Sequence, residues 1–514
     1  MPPLTCRALL GLLLVLGASC RPERPEGITV LIESPPDSLD DRFSLAANGQ
    51  RISQLIAPGL ITFDDTSTPV PSLAESFQQL SPTLVEFTLR PGLTFHDGTA
   101  LTSEDVRATY ESVLDPALRS AKAGRYETIE RVEVVDDRTL RFHLRRPYTA
   151  LMAEMSLSIL PAERAKPELA ELQATHPVGA GPFRFEAAPD EDHLTLVPFE
   201  HYHGGGPAIA RLRFRVVRDE TTRVLELLKG RADLVVNAVS PAVLPMLSRQ
   251  PNLRVLSKPG TGYAYLGFNL RTGPLADVRV RQAMCHLIQV RPLVEHKLHG
   301  LAVPATGMLP TTHWAYSPGE GCRYDAAEAA RLLDAAGYPD PDGPGGQPRL
   351  RLSLKVSTDR FRKSVALVLQ EQLARGGVAA EVQTLEFGTL FSDIRRGNFE
   401  MVTLKWASMM EPDLMRGVFH SRNVPSEANH WGGLNRGALR DAELDALLDE
   451  GSQLPREERQ AVYAKALQRL EALLPYAPLW HESSVAVVSR RLEGFEPSAH
   501  GFFTPLAQAR RAEP

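Results

Sequence analysis

The chain has 514 residues, with 57 Lys and Arg against 62 Asp and Glu for a formal net charge of −5. That balance excludes the basic footprint of a nucleic-acid binder, and 43% hydrophobic against 23% charged residues excludes a disordered chain. The length suffices for sizeable cores and points to two to four domains.

The N-terminus reads as an address. Arg7 precedes a nine-residue apolar run, residues 8–16 (ALLGLLLVL), and Gly17-Ala18-Ser19 leads to Cys20. The run is too short to span a membrane as a mature helix, so residues 1–19 are expected to be a signal peptide. Small residues before a cysteine resemble a bacterial lipobox, which would leave Cys20 lipidated, although Gly17 stands where Leu is usual. The alternative is ordinary cleavage nearby with Cys20 incidental. No other segment is apolar and long enough to span. Cys6 leaves with the signal, and Cys285 and Cys322 remain. An oxidising compartment permits a disulfide between them, while a small buried thiol is the other reading of Cys285.

In chain order, residues 27–31 form a strand candidate followed by the turn Ser34-Pro35-Pro36-Asp37, and residues 51–60 have helical spacing. Residues 84–89 and 138–144 alternate as strands. Thr102 with Asp105 three residues on starts a capped helix to 114. Residues 211–217 alternate, 220–229 are helical up to Gly230, 263–269 are strand-like and 277–289 helical. Asp325 caps a helix that ends at Gly337. Strands are then expected at 350–356, 378–382 and 401–406, helices at 361–375, 390–396, 441–450 and 456–474. Strand and helix alternating in this way imply an α/β unit with crossover connections.

Catalytic signatures are missing: no G-x-S-x-G, H-E-x-x-H, G-x-x-x-x-G-K or C-x-x-C occurs. His201 and His203 beside three glycines read as a solvated turn, and Asp64-Asp65 and Asp340 with Asp342 read as turn formers. No catalytic residue, metal ligand or cofactor is expected.

Residues 89–106, LRPGLTFHDGTALTSEDV, resemble a signature of bacterial extracellular solute-binding protein family 5, the peptide/nickel-type receptors that feed ABC importers. Further patches are similar to the family in order: Pro71-Ser72-Leu73-Ala74-Glu75-Ser76, Gly179-Ala180-Gly181-Pro182-Phe183, Asn269, and Leu275 through Ala283. Gly300 to Gly307 with Pro304 and Pro310 follow, then Tyr324-Asp325, Leu332-Leu333 and Ala336-Gly337-Tyr338. The resemblance implies an α/β, two-lobed periplasmic-binding-protein fold of class II type, with an extra α/β domain and a hinged cleft. It assigns residues 20–45, 174–268 and 480–514 to lobe I, 46–173 to the extra domain and 269–479 to lobe II. Chain crossings are expected near 265–269 and 479–482. It also implies a monomeric extracytoplasmic lipoprotein, not an enzyme, that closes on a peptide or other small molecule and delivers it to a permease.

Ligand contacts are expected at strand ends that face the cleft. These are Glu33 and Ser34 after the first strand, Arg360 with Arg362 and Lys363 at a helix start, and Trp406, Ser408, Met409 and Glu411. Trp480 and His481 complete the set. A solvated helix start is the other reading of the three basic residues. Trp406 would supply an aromatic wall. Peptide-binding relatives carry an Asp three residues after this Trp, where it pairs with the ligand ammonium. Met409 stands there instead, and a thioether does not offset a buried charge. Either Glu411, or less readily Asp413, replaces that Asp or the ligand has no free amine. A nickel chelate, haem or sugar-type ligand is the alternative within the fold, and a hydrolase or non-transport lipoprotein the alternative outside it.

Overall fold

The computed structural model describes residues 27–343 and 346–512. The expected signal segment and Cys20 lie outside the described residues. Strand β1 (Ile28–Ile32) is buried at every position. Its alternate residues serve two cores: Ile28, Val30 and Ile32 pack with Leu55, Phe183 and Phe214, whereas Leu31 packs with Leu227, Val235 and Val487. A strand covered on both faces reads as a continuous apolar run, which is why ITVLI does not alternate.

A short pair, β2 (Ile61–Phe63) and β3 (Pro69–Pro71), leads into an extra domain. Its antiparallel sheet holds β4 (Ala74–Ser81), β5 (Leu84–Leu89), β6 (Ile129–Val134) and β7 (Thr139–Leu144) in the order β4-β5-β7-β6. The helix Ser103–Leu114 packs on it, begun by the expected capping box, with Thr102 N donating to Asp105 Oδ2 at 2.8 Å. The HDG segment is a tight turn. Asp97 Oδ1 accepts from Thr99 N at 3.0 Å, and Gly98 takes φ +87°, which a side chain would resist. His96 N donates to Gly179 O at 2.8 Å, so the signature ties this domain to the strand that re-enters lobe I.

The main sheet adds β8 (Phe183–Asp190), β9 (His193–Pro198), β10 (Leu212–Val216), β11 (Leu234–Val236), β12 (Leu253–Phe268) and β13 (Ala302–Pro304). β14 (Leu350–Ser357), β15 (Val378–Leu385), β16 (Met401–Trp406) and β17 (Tyr476–Ser489) complete it. The order is β15-β14-β16-β12-β17-β11-β1-β10-β9-β8, with β13 beside β17. Two long antiparallel strands, β12 and β17, therefore join both lobes. Leu253–Lys258 pair with Ser489–Ser484 beside β11, and Tyr263–Phe268 pair with β16. The register breaks between Lys258 and Gly262. The crossing lies at Pro259–Gly262 opposite Glu482–Ser484, several residues from the expected 265–269, because Ala264, Leu266 and Phe268 are already in the lobe II core.

Two further expectations shift for the same reason. The helix Ala47–Ile56, placed by the resemblance in the extra domain, buries Ile52, Leu55 and Ile56 in the lobe I core. Trp480, assigned to lobe I, packs in the lobe II core with Leu479 and Ala477. The structure also joins Cys285 to Cys322, with Cα atoms 4.9 Å apart, pinning the helix Val278–Leu287 to the loop before the helix Ala326–Ala335.

Candidate functional site

Strand polarity places the site. β1, β10 and β11 are parallel, and their carboxyl ends run toward the middle of β17. β14, β15 and β16 are also parallel, and β16 ends with Trp406 opposite Tyr263, near the middle of β12. Both lobes thus turn their carboxyl edges toward one crossing, the position where open α/β sheets hold ligands.

On the lobe I edge, Glu33 and Ser34 are exposed immediately after β1. Asn48 Nδ2 fixes that turn by donating to Ser34 O at 3.0 Å. Arg51 stands behind it on the helix Ala47–Ile56. Burial pushes its guanidinium pKa down, and the Glu33 charge pulls it back up. After β10, Asp219 caps the helix Glu220–Leu228, accepting from Thr222 N at 2.8 Å. The Thr222 bonds hold its carboxyl below the usual value, and the Arg360 charge adds to this.

Arg360 belongs to lobe II. It is exposed and opens the helix Arg360–Ala374, with Asp359 as cap to Arg362 N at 2.8 Å. Asp219 and Arg360 thus carry opposite charges on the two edges without an ion pair between them among the described residues, and Arg223 acts on Asp219 more strongly than Arg360 does. Along the same edge, half-buried Trp406 ends β16, with the Arg436 guanidinium 5.4 Å from its ring centre. Arg436 also lies 4.6 Å over Phe391, which stacks on Phe387 at 5.9 Å. Phe387 opens the helix after β15 and is 55% exposed.

The other expected residues occupy different surroundings. Ser408 is half-buried, its Oγ 2.8 Å from Thr261 Oγ1 at the crossing. Met409 is wholly buried among Tyr263, Tyr265 and Met308, its N–H donated to Thr261 O at 3.1 Å. This is a core side chain rather than a free wall. Glu411 is ion-paired with Arg459 and so is already committed. Burial pushes its carboxyl up while the Arg459 charge pulls it back. Asp413 is likewise engaged, with Arg416 at 3.0 Å. Trp480 is 3% exposed in the core already described, which removes it from the open edge. His481 is buried against Gly307 O at 3.2 Å, and burial pushes its pKa down to about 4. The structure thus brings Glu33, Ser34, Arg360, Trp406 and Ser408 around the crossing and sends Met409, Glu411 and Trp480 into packing. Sequence reasoning missed Arg51, Asp219, Phe387 and Arg436. Only Phe387 carried a signal, an aromatic directly after a strand end.

Among the described residues no group of three or more His, Cys, Asp or Glu side chains could hold a metal ion, and no helix is long and apolar enough to cross a membrane. The sequence pattern of the bacterial extracellular solute-binding proteins, family 5 Middle, matches residues 68–423. The chain belongs to this family. Family 5 proteins work outside the cytoplasm as the solute-binding components of ABC importers, and that is this chain's function. Heme-binding protein A of Haemophilus influenzae is 28% identical over 483 residues, covering 88% of this chain and 86% of the relative. Two solved family 5 folds are similar. NikZ from Campylobacter jejuni in complex with Ni(L-His) has a TM-score of 0.80 at 23% identity, over 95% of this chain and all of that one. AppA from Bacillus subtilis in complex with a nonapeptide has 0.76 at 22%, with the same coverage.

Proposed function

We propose that this protein captures a peptide or peptide-like organic solute between the two facing edges, closes on it by rotation about β12 and β17, and presents the closed form to its permease. The observation that carries this reading is the strand polarity, which turns the carboxyl edges of both lobes toward one crossing, with exposed Asp219 on one edge and exposed Arg360 on the other. Trp406 with Phe387 supplies an aromatic wall that covers ligand side chains without tight selectivity. Glu33 is the exposed carboxylate placed to meet a ligand ammonium, in place of Glu411. Lipidation at Cys20 holds the monomer at a membrane surface, since buried acyl methylenes contribute roughly 0.8 kcal/mol each. Isothermal titration with the solute released from the purified protein tests the site. Trp406→Ala is expected to weaken binding at least tenfold, and unchanged affinity would exclude this wall.

A second reading, a ligand without a free amine, is favoured by Met409 and Glu411. Neither offers an ammonium a partner, because one is apolar and buried and the other is spent on Arg459. The relatives named for haem and Ni(L-His) keep this class open. Native mass spectrometry separates the two: a ladder spaced by amino-acid residues supports peptides, one discrete mass or a metal supports the second.

A further inference from the structure

A cavity of about 510 Å³ lies between the extra domain and lobe II, away from the facing edges. Its lining includes none of Glu33, Ser34, Asp219, Arg360, Trp406 or Ser408. Phe77, Pro69 and Met152 of the extra domain form an apolar wall, and Trp314, Arg456 and Arg459 of lobe II form the other. The volume falls within the roughly 300–1,000 Å³ of small-molecule sites, and an apolar lining with a few converging polar groups is their usual make-up.

Two guanidinium groups, Arg456 and Arg459, and two carboxylates, Glu411 and Glu457, share the lining, and they are not matched one to one. The Arg456 and Arg459 guanidinium groups lie 4.8 and 5.5 Å from the centre of one indole ring, that of Trp314. Glu411 pairs with Arg459 alone. Arg456 donates to the neutral Thr68 Oγ1 at 2.7 Å and to no carboxylate among the described residues. Asp64, Glu411 and Glu457 act on it only through space. An oxyanion accepting from Arg456 would give that guanidinium an anionic partner, and a flat apolar body would fill the space against Phe77 and Met152.

We propose that this cavity is a second binding site, separate from the cleft, for an organic monoanion with a compact apolar body, such as an aromatic carboxylate or sulfonate. Fluorescence titration of the purified full-length protein with 8-anilinonaphthalene-1-sulfonate tests it, each variant being checked for folding by circular dichroism and thermal melting. The wild type is expected to bind one probe saturably. Arg456→Met should weaken that binding at least tenfold. Met152→Trp fills the cavity and should abolish it, while Trp406→Ala, in the cleft, should leave it unchanged. Absence of saturable binding, equal affinity in wild type and Arg456→Met, or loss on Trp406→Ala would each overturn the proposal. Should Met152→Trp fail to fold, the comparison of Arg456→Met with Trp406→Ala decides alone.

Discussion

Buried ionisable side chains set how this protein answers to pH. His96, His313 and His481 are kept neutral by burial, with pKa values pushed down to about 4, 3 and 4. In the unfolded chain each protonates near its ordinary value of about 6.5. Between those values the unfolded chain binds more protons, so stability is complete above about pH 6.5 and declines as pH falls toward 4. Each pKa unit corresponds to about 1.4 kcal/mol, and the three together reach several kcal/mol, a large share of the roughly 5–15 kcal/mol that holds a domain. Urea midpoints are therefore expected to drop between about pH 7 and pH 4.5, and equal midpoints would contradict the assignment. Glu411→Gln leaves the Arg459 charge buried without its counter-ion, a loss of roughly 3–5 kcal/mol for such pairs. The variant should melt earlier while binding the cleft ligand with unchanged affinity. A change in affinity without a change in melting would return Glu411 to the site. The family resemblance assigns Glu411 a ligand role, whereas its partner, Arg459, lies 48 residues away on the helix Arg456–Leu473. Long-range pairing of that kind leaves no local trace.

Single elements were the most legible level. The strands at 84–89 and 401–406 and the capping box at Thr102 appear as expected, because alternation and cap chemistry are local. Phe361–Arg375 shifts by one residue to Arg360–Ala374. The spacing predicts seven residues of β12 where the strand runs for sixteen, since Ser257-Lys258-Pro259-Gly260 breaks both the apolar alternation and strand propensity. β17 went unread for the opposite reason. Tyr476–His481 is buried throughout and shows no alternation, and its ladders with β12 and β13 make it a strand. At this scale the Cys285–Cys322 bond is testable. It closes a loop with a sequence separation of 37, worth roughly 4 kcal/mol by chain entropy. Cys322→Ser should lower the melting temperature by several degrees, and reductant should shift the wild type likewise but leave the variant unmoved.

At the scale of the whole molecule, the two-lobed plan was recoverable from ordered family patches, whereas the lobe limits were not. Which core a segment joins depends on contacts distant in sequence, as the helix Ala47–Ile56 and Trp480 demonstrate. The opposite charges of exposed Asp219 and Arg360 on the two edges predict a charge-dependent closure. Arg360→Glu sets two acids against each other and should favour the open form. Small-angle scattering of the ligand-bound variant is expected to give a larger radius of gyration than bound wild type, with the difference shrinking in high salt as screening grows. Identical radii at low salt would argue against a role in closure.

At the crossing, a side chain on Gly260 would collide with the Glu482 carbonyl of the neighbouring strand. The two ribbons touch backbone to backbone there, and Pro259 offers no N–H to the ladder. A sixteen-residue strand is roughly 50 Å long, so each half is an arm of about 25 Å turning about this point. In the closure proposed above, β12 and β17 act as a lever: a slight torsion at one glycine becomes a displacement of several ångströms at the lobe tips. On that reading, a permease that contacts only those tips senses occupancy as distance, without touching the solute.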